Sequence, residues 1–295
     1  MADSFHTLSE QMADAVAQVA PSIVRIGGRR RMGASGVVWE SGGVIVTAHH
    51  VVRREHVTVG LPAGEKLSAT LVGRDSTTDL AVLRVETGDL TAATWDDSQL
   101  RVGQLALALA RPGRNIQATL GVVSAVGDSW QTGAGGEIDR YLQTDVLMYP
   151  GFSGGPLLVG NAFAGINSSA LLRGASVTIP ATTVRRVVEA LLSHGRVRRG
   201  YLGVSTQPVR LPAALAESTG QETALLVVSV EPGSPAGEAG LLMGDTIIAL
   251  DGAPVRHHDD LVALLTGDRA GRKVPLHIVR GGEQRELNVT IGERA

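Results

Sequence analysis

The sequence contains no cysteine, which excludes disulfide cross-links, thiolate metal sites and cysteine nucleophiles together and leaves the redox compartment open. It also lacks an excess of either charge. The formal net charge is −2 with the signs mixed along the chain, so there is neither a basic field for nucleic acid nor an acidic solvating tail. The one basic run, Arg29-Arg30-Arg31, reads as a solvated loop. No apolar stretch approaches the length of a membrane span. The start, MADSFHTLSEQMADAVAQVA, carries acids and polar residues where a secretory signal needs a basic start and an unbroken apolar stretch. The expectation is a cytoplasmic protein if the chain is complete, and a periplasmic or other extracytoplasmic one if it is a mature or truncated form.

With 43% apolar and 19% charged residues among 295, the chain is long enough to build two cores. Met12, Ala15, Val16 and Val19 recur at helical spacing over residues 8–19, and Pro21 ends the pattern. The character then changes. Short apolar runs at 36–39, 44–47, 57–61, 80–85, 105–110 and 120–126 are separated by glycine-containing turns, the pattern of an all-β barrel or sandwich. A second amphipathic helix over 182–194 closes this region, and 195–200, with Arg196, Arg198 and Arg199, reads as an exposed linker. The remainder predicts a separate α+β module. Its elements are strands at 225–230 and 245–250, a turn and short helix at 233–240, a helix at 259–266 and a hairpin across Gly281-Gly282.

Three segments carry candidate chemistry, in the order His, Asp, Ser. In Gly151-Phe152-Ser153-Gly154-Gly155, glycines flanking a serine permit a tight turn whose Gly151 and Ser153 amides form an oxyanion hole. A glycine-rich hairpin with a bystander serine has the same pattern. The apolar run Val44-Ile45-Val46-Thr47-Ala48 leads into His49-His50, which gives an imidazole base a rigid support without saying which histidine acts. Asp79 opens the apolar strand 80–85 while Asp75 lies in the preceding polar turn. Asp79 reads either as a buried carboxylate beside an imidazole or as a strand-capping acid. His257-His258 reads as a pair of solvent-facing cap residues rather than a metal site.

Taken together, these segments resemble the trypsin-like serine proteases, and the HtrA family in particular. Thr47-Ala48-His49-His50 resembles the family's T-A-x-H motif, Thr78-Asp79-Leu80-Ala81-Val82-Leu83 its T/S-D-L/I-A-V/L-L motif, and Gln143-Thr144-Asp145 with Pro150-Gly151-Phe152-Ser153-Gly154-Gly155-Pro156-Leu157 its nucleophile segment. Gly165-Ile166-Asn167-Ser168 resembles the substrate-pairing strand. In the second module, Tyr201-Leu202-Gly203-Val204 resembles the carboxylate-binding loop of HtrA PDZ domains, and Gly233-Ser234-Pro235-Ala236 through Asp251-Gly252 follows the rest of that domain's pattern.

The resemblance implies a mainly β fold, a trypsin-like double six-stranded β-barrel over residues 1–195 followed by a small α+β PDZ domain over 199–295. It assigns His50 as base, Asp79 as orienting carboxylate and Ser153 as nucleophile, with Gly151, Phe152 and Ser153 around the oxyanion hole. It places Leu147, Ile166, Asn167 and Ser168 in the substrate pocket and Tyr201, Leu202, Gly203 and Val204 at a peptide C-terminus. Leu147 stands where trypsin-type enzymes that favour basic residues carry an acid, so the expected cleavage follows aliphatic residues. Further implications are ATP-independent cleavage of unfolded polypeptides, a homotrimer anchored at Phe5, PDZ-dependent regulation, and no cofactor or metal. Phe152 and Tyr149 depart from the family's asparagines, giving the loop two bulky aromatics. A catalytically silent, peptide-binding scaffold is the alternative from another functional class, and a dedicated processing protease is a second.

Overall fold

The structure, a computed structural model, describes residues 2–27, 33–87, 89–98, 100–172, 174–265 and 267–294. The arginine run at 29–31 lies outside the described residues. The chain divides into two compact units, 1–197 and 198–295.

The first unit begins with helix α1 (Ala2–Val19), which starts earlier than the apolar periodicity indicates because its first turns are polar. Two closed barrels follow. The first is built from β1 (Ile23–Ile26), β2 (Ala34–Glu40), β3 (Val44–Ala48), β4 (His56–Gly60), β5 (Lys66–Asp75) and β6 (Leu80–Val85), in the order β1-β2-β3-β6-β5-β4 with β4 closing on β1. The second uses β7 (Leu105–Ala110), β8 (Gln117–Val126), β11 (Leu142–Thr144), β12 (Pro156–Val159), β13 (Ala162–Ser168) and β14 (Ser176–Pro180), in the order β11-β14-β13-β12-β7-β8 with β8 closing on β11. A small hairpin, β9 (Trp130–Gln131) and β10 (Glu137–Ile138), lies between β8 and β11.

Alternation along the strands shows how the barrels meet. Ile45 and Leu83 face the interior of the first barrel with Val24, Ile26, Val38 and Val59. Their neighbours Val44, Val46 and Val82 turn the other way, into a core shared with Leu109, Leu158, Phe163 and Ile166 of the second barrel and with Val184, Val187, Val188 and Leu191 of α2 (Ala181–His194). Strands buried on both faces read as unbroken apolar runs, which is why 44–47 and 80–85 are so legible. The seam between the barrels is thus a packed core, and the chemistry-bearing loops end on it.

In the second unit, β15 (Arg199–Tyr201) pairs with β22 (Gly292–Arg294), so the expected linker is already ordered by strand pairing at Arg199. The main sheet runs β16 (Val204–Arg210), β17 (Thr223–Val230), β18 (Thr246–Leu250), β20 (Lys273–Arg280), β21 (Glu283–Thr290), with β19 (Ala253–Pro254) beside β18. Helices α3 (Ala213–Thr219), α4 (Pro235–Glu238) and α5 (His258–Leu264) complete it. Leu202, Leu225, Ile247, Leu261, Leu276 and Ile291 form its own core. His257 is the N-cap of α5, and among the described residues no helix is long and apolar enough to cross a membrane.

Candidate active site

Strand β3 runs straight into a single 3-10 turn, His49–Val51, which carries His50 half-buried at the seam. The turn between β5 and β6 is shaped by Asp75, whose carboxylate accepts the Thr77 amide at 3.1 Å, the Thr77 hydroxyl at 2.8 Å and the Thr78 hydroxyl at 2.8 Å. Thr132, beside β9, donates to the Thr77 carbonyl at 2.7 Å and braces the same turn. The turn ends with Asp79 at φ +58°. This left-handed conformation is costly for most side chains and best tolerated by Asp and Asn, and it lets the carboxylate reach back toward β3.

His50 Nδ1 lies 2.8 Å from Asp79 Oδ2, and the His50 amide donates to Asp79 Oδ1 at 2.9 Å. Ser168, at the end of β13 in the other barrel, donates its hydroxyl to Asp79 Oδ2 at 2.5 Å. Burial pushes the Asp79 carboxyl pKa up, but the bonds from His50 and Ser168 outweigh burial and hold it below its ordinary value. Asp79 is therefore an ionised acceptor. A carboxylate can only accept, so the ring nitrogen facing it, Nδ1, carries a hydrogen, and Nε2 is the nitrogen left to act as base. The neighbouring His49 points elsewhere. Its amide donates to the Asp79 carbonyl at 2.9 Å, its Nδ1 is buried without a partner among the described residues, and burial lowers its pKa.

The nucleophile segment precedes β12. Gly151 and Gly154 adopt φ +97° and +82°, backbone that a side chain would strain. A Cβ on Gly154 would also sit 2.2 Å from the Ser35 carbonyl and 2.3 Å from the Thr47 hydroxyl, so only glycine lets the loop approach the first barrel this closely. Backbone hydrogen bonds pin the loop. The Ser35 amide donates to the Ser153 carbonyl at 3.2 Å, the Gly154 amide to Asn167 at 2.9 Å, and the Phe152 amide to Tyr149 at 3.1 Å. Among the described residues the Gly151 and Ser153 amides have no acceptor, whereas the Phe152 amide is already used. The Phe152 ring is 1% exposed, inside the second barrel with Val146 and Leu157, and edge-on to the half-exposed Tyr149.

The Ser153 hydroxyl shares a hydrogen bond with the Ser169 hydroxyl at 3.0 Å and accepts the Ser169 amide at 3.4 Å. Among the described residues no hydrogen bond joins it to His50. Ser169 is absent from the sequence-based set, and nothing local in the sequence marks it.

The four expected pocket residues differ in exposure and bonding. Leu147 is 57% exposed, Ile166 is fully buried in the seam core, and Ser168 is bonded to Asp79. Asn167 is also fully buried, donating to the Pro156 carbonyl at 2.8 Å and accepting the Thr178 hydroxyl at 2.9 Å. Of the four, Leu147 is the one whose side chain is open to a substrate.

In the second unit, β16 pairs only with β17 among the described strands and leaves its other edge open. The loop before it turns at Gly203 (φ +80°), where a Cβ would meet Ser234 Cβ at 2.2 Å. The Leu202 and Gly203 carbonyls accept the Ala236 and Glu231 amides at 2.9 and 2.8 Å, and Tyr201 donates its hydroxyl to Glu231. Among the described residues the Leu202 and Gly203 amides have no acceptor. Free amides beside an open strand edge suit addition of a peptide strand.

Comparison with known proteins agrees with this architecture. Residues 34–163 match the family described as trypsin-like peptidase domain, and 200–291 match PDZ domain. A probable periplasmic serine endoprotease, DegP-like, from Pseudomonas fulva is 38% identical over 280 residues, covering 90% of this chain and 57% of that protein. The chain therefore spans little more than half the length of the curated relatives it matches. The HtrA-type protease AlgW, solved with a decapeptide, superposes with TM-score 0.78 at 28% identity, covering 96% of this chain and 98% of that one. The crystal structure of the serine endoprotease from Yersinia pestis gives TM-score 0.76 at 30% identity, covering 95% of this chain and 97% of that one. Two barrels meeting at a His-Asp-Ser seam, a PDZ domain following them in the sequence and these relatives make the chain a member of the HtrA family of trypsin-like serine proteases.

Proposed function

We propose that the chain is a serine endopeptidase acting through His50, Asp79 and Ser153. The observation that carries this reading is the buried, ionised Asp79, bonded to both the ring and the amide of His50 and fixed in place by Ser168. A carboxylate so placed sets the imidazole tautomer and stabilises the imidazolium formed during reaction.

On this reading Ser153 exchanges its bond to Ser169 for one to His50 Nε2 and attacks a peptide carbonyl as His50 takes its proton. The Gly151 and Ser153 amides donate to the developing oxyanion. His50 then delivers the proton to the leaving amine, and an acyl group remains on Ser153. Water, deprotonated by the same ring, releases the acyl group and restores the serine. Asp79 stays ionised throughout. Hydrolysis is downhill and calls for no ATP, and none of these steps requires a cofactor or metal.

Unfolded polypeptide is the proposed substrate class, with cleavage after aliphatic residues, because the exposed Leu147 offers an apolar contact and no partner for a cation. The loop Tyr201-Leu202-Gly203-Val204 is proposed to take a peptide C-terminus and bias the state of the nucleophile loop. Assembly is proposed as a homotrimer through Phe5, which is 77% exposed. The bond between Ser153 and Ser169 also fits a catalytically silent scaffold, and labelling separates the two. A fluorophosphonate should add once, on the tryptic peptide containing Ser153. Absence of any adduct on folded protein would refute the protease reading.

A further inference from the structure

Ser35 lies in β2 with none of its surface exposed, and a buried hydroxyl is costly unless its hydrogen bonds are made. All of its polar groups are engaged, and two of the bonds end on the nucleophile loop of the other barrel. The hydroxyl donates to the Gly151 carbonyl at 2.8 Å, and the amide donates to the Ser153 carbonyl at 3.2 Å. The Ser35 carbonyl accepts the Thr47 hydroxyl at 2.7 Å, and the hydroxyl oxygen accepts the Arg111 amide at 2.8 Å. That last bond is made to the oxygen, so the single hydroxyl hydrogen stays committed to Gly151, whose carbonyl can only accept.

Arg111 is itself held. Its buried guanidinium donates to the carbonyls of Ile23 at 2.7 Å, Arg114 at 2.8 Å and Ala20, just past α1, at 3.0 Å. The peptide between Gly151 and Phe152 is consequently fastened at both ends, its carbonyl by Ser35 and its amide by the Tyr149 carbonyl at 3.1 Å. Gly151 sits at φ +97°, a conformation that glycine leaves easily. Fixing the following peptide plane removes rotation on the carbonyl side of Gly151, so its amide can turn away only if the Pro150–Gly151 peptide rotates alone.

We propose that Ser35 is a positioning residue for the oxyanion donors. Its hydroxyl, aimed by the Arg111 amide, holds the Gly151–Phe152 peptide in the orientation that keeps the Gly151 amide available to the transition state. This rests on the reading of Gly151 and Ser153 as oxyanion donors. Ser35 touches neither substrate nor reacting atoms and acts through the loop. Substituting it therefore affects a state in which negative charge develops and leaves ground-state peptide binding alone.

The test uses the full chain and an internally quenched peptide that the wild type cleaves, together with the aldehyde of its acyl half and the corresponding product peptide. Ser35→Ala should lower kcat about tenfold to a hundredfold with KM changed less than about twofold. Aldehyde affinity should weaken by the same factor, and product affinity should not change. Wild-type kcat and aldehyde affinity in folded Ser35→Ala would overturn the proposal. So would a product affinity that falls in step with the aldehyde's, since that marks general distortion. If Ser35→Ala does not fold, Ser35→Cys keeps the side chain's size with a weaker donor. The same joint fall is then expected, and wild-type values overturn the proposal. Failure of the underlying reading looks different, because the wild type itself would then bind the aldehyde no more tightly than the product.

Discussion

Phe152 stands between the two candidate oxyanion donors, and its ring is a packing element of the second barrel. It is 1% exposed and shares the interior with Ala108, Ala110, Val146 and Leu157. The alanines around it are too small to fill the space that Phe152→Ala would open, so the cost should be about 3–5 kcal/mol. That is a large part of the roughly 5–15 kcal/mol that holds an ordinary domain folded. Tyr149, 53% exposed, meets Phe152 edge-on at 6.0 Å, and Tyr149→Ala should cost about 0.5–1.5 kcal/mol. The assay is urea unfolding followed by tryptophan fluorescence. Trp39, Trp95 and Trp130 all belong to the first unit, so the signal reports that unit alone. A Phe152→Ala loss below about 0.5 kcal/mol, within the range of surface substitutions, or a larger loss for Tyr149→Ala, would refute the placement of the ring.

Asp79→Asn should fold, because Asn also tolerates the left-handed backbone at φ +58°, yet lose about three to four orders of magnitude in kcat through the wrong tautomer of His50; steady-state kinetics on a peptide substrate checks it. His49→Ala should keep most activity in the same assay, since only its amide contacts Asp79. In the second unit, burial pushes the Asp245 carboxyl pKa up, but two bonds from Arg280 and one from the Leu242 amide hold it below its ordinary value. The folded value lies below the unfolded one, so this stabilisation is complete above the ordinary carboxylate range, near pH 4, and is lost as pH falls through the folded value. Amide NMR of residues 198–295 on acidification should show it, with Asp245→Asn losing that acid sensitivity. Sedimentation of the wild type and Phe5→Ala should give a trimer that weakens on substitution, and a monomeric wild type would refute assembly through Phe5.

How much of this was legible in the sequence depended on whether a feature is local. Strands 80–85 and 105–110 were marked to the residue by apolar runs, because both faces of β6 and most of β7 are buried. His50 and Asp79, which sit in short motifs, do meet at 2.8 Å. Strand alternation could not tell which buried face Ile166 takes, and it turns into the seam core. Asn167 is spent on cross-strand hydrogen bonds that no motif announces. Ser35 escaped notice because its partner Gly151 is 116 positions away, a register set only when the barrels close. Helix α3 was also missed, although Pro212 before it and Gly220 after it, at φ +69°, are end signals that could have found it.

The most direct test of the central claim is digestion of reduced, unfolded casein by wild type and by Ser153→Ala. The substitution removes the nucleophile and little volume, so both proteins should unfold at the same urea concentration. Wild type should cut the casein without ATP, mainly after aliphatic residues by mass spectrometry, while Ser153→Ala falls to background. Equal cleavage by the two proteins would contradict the account.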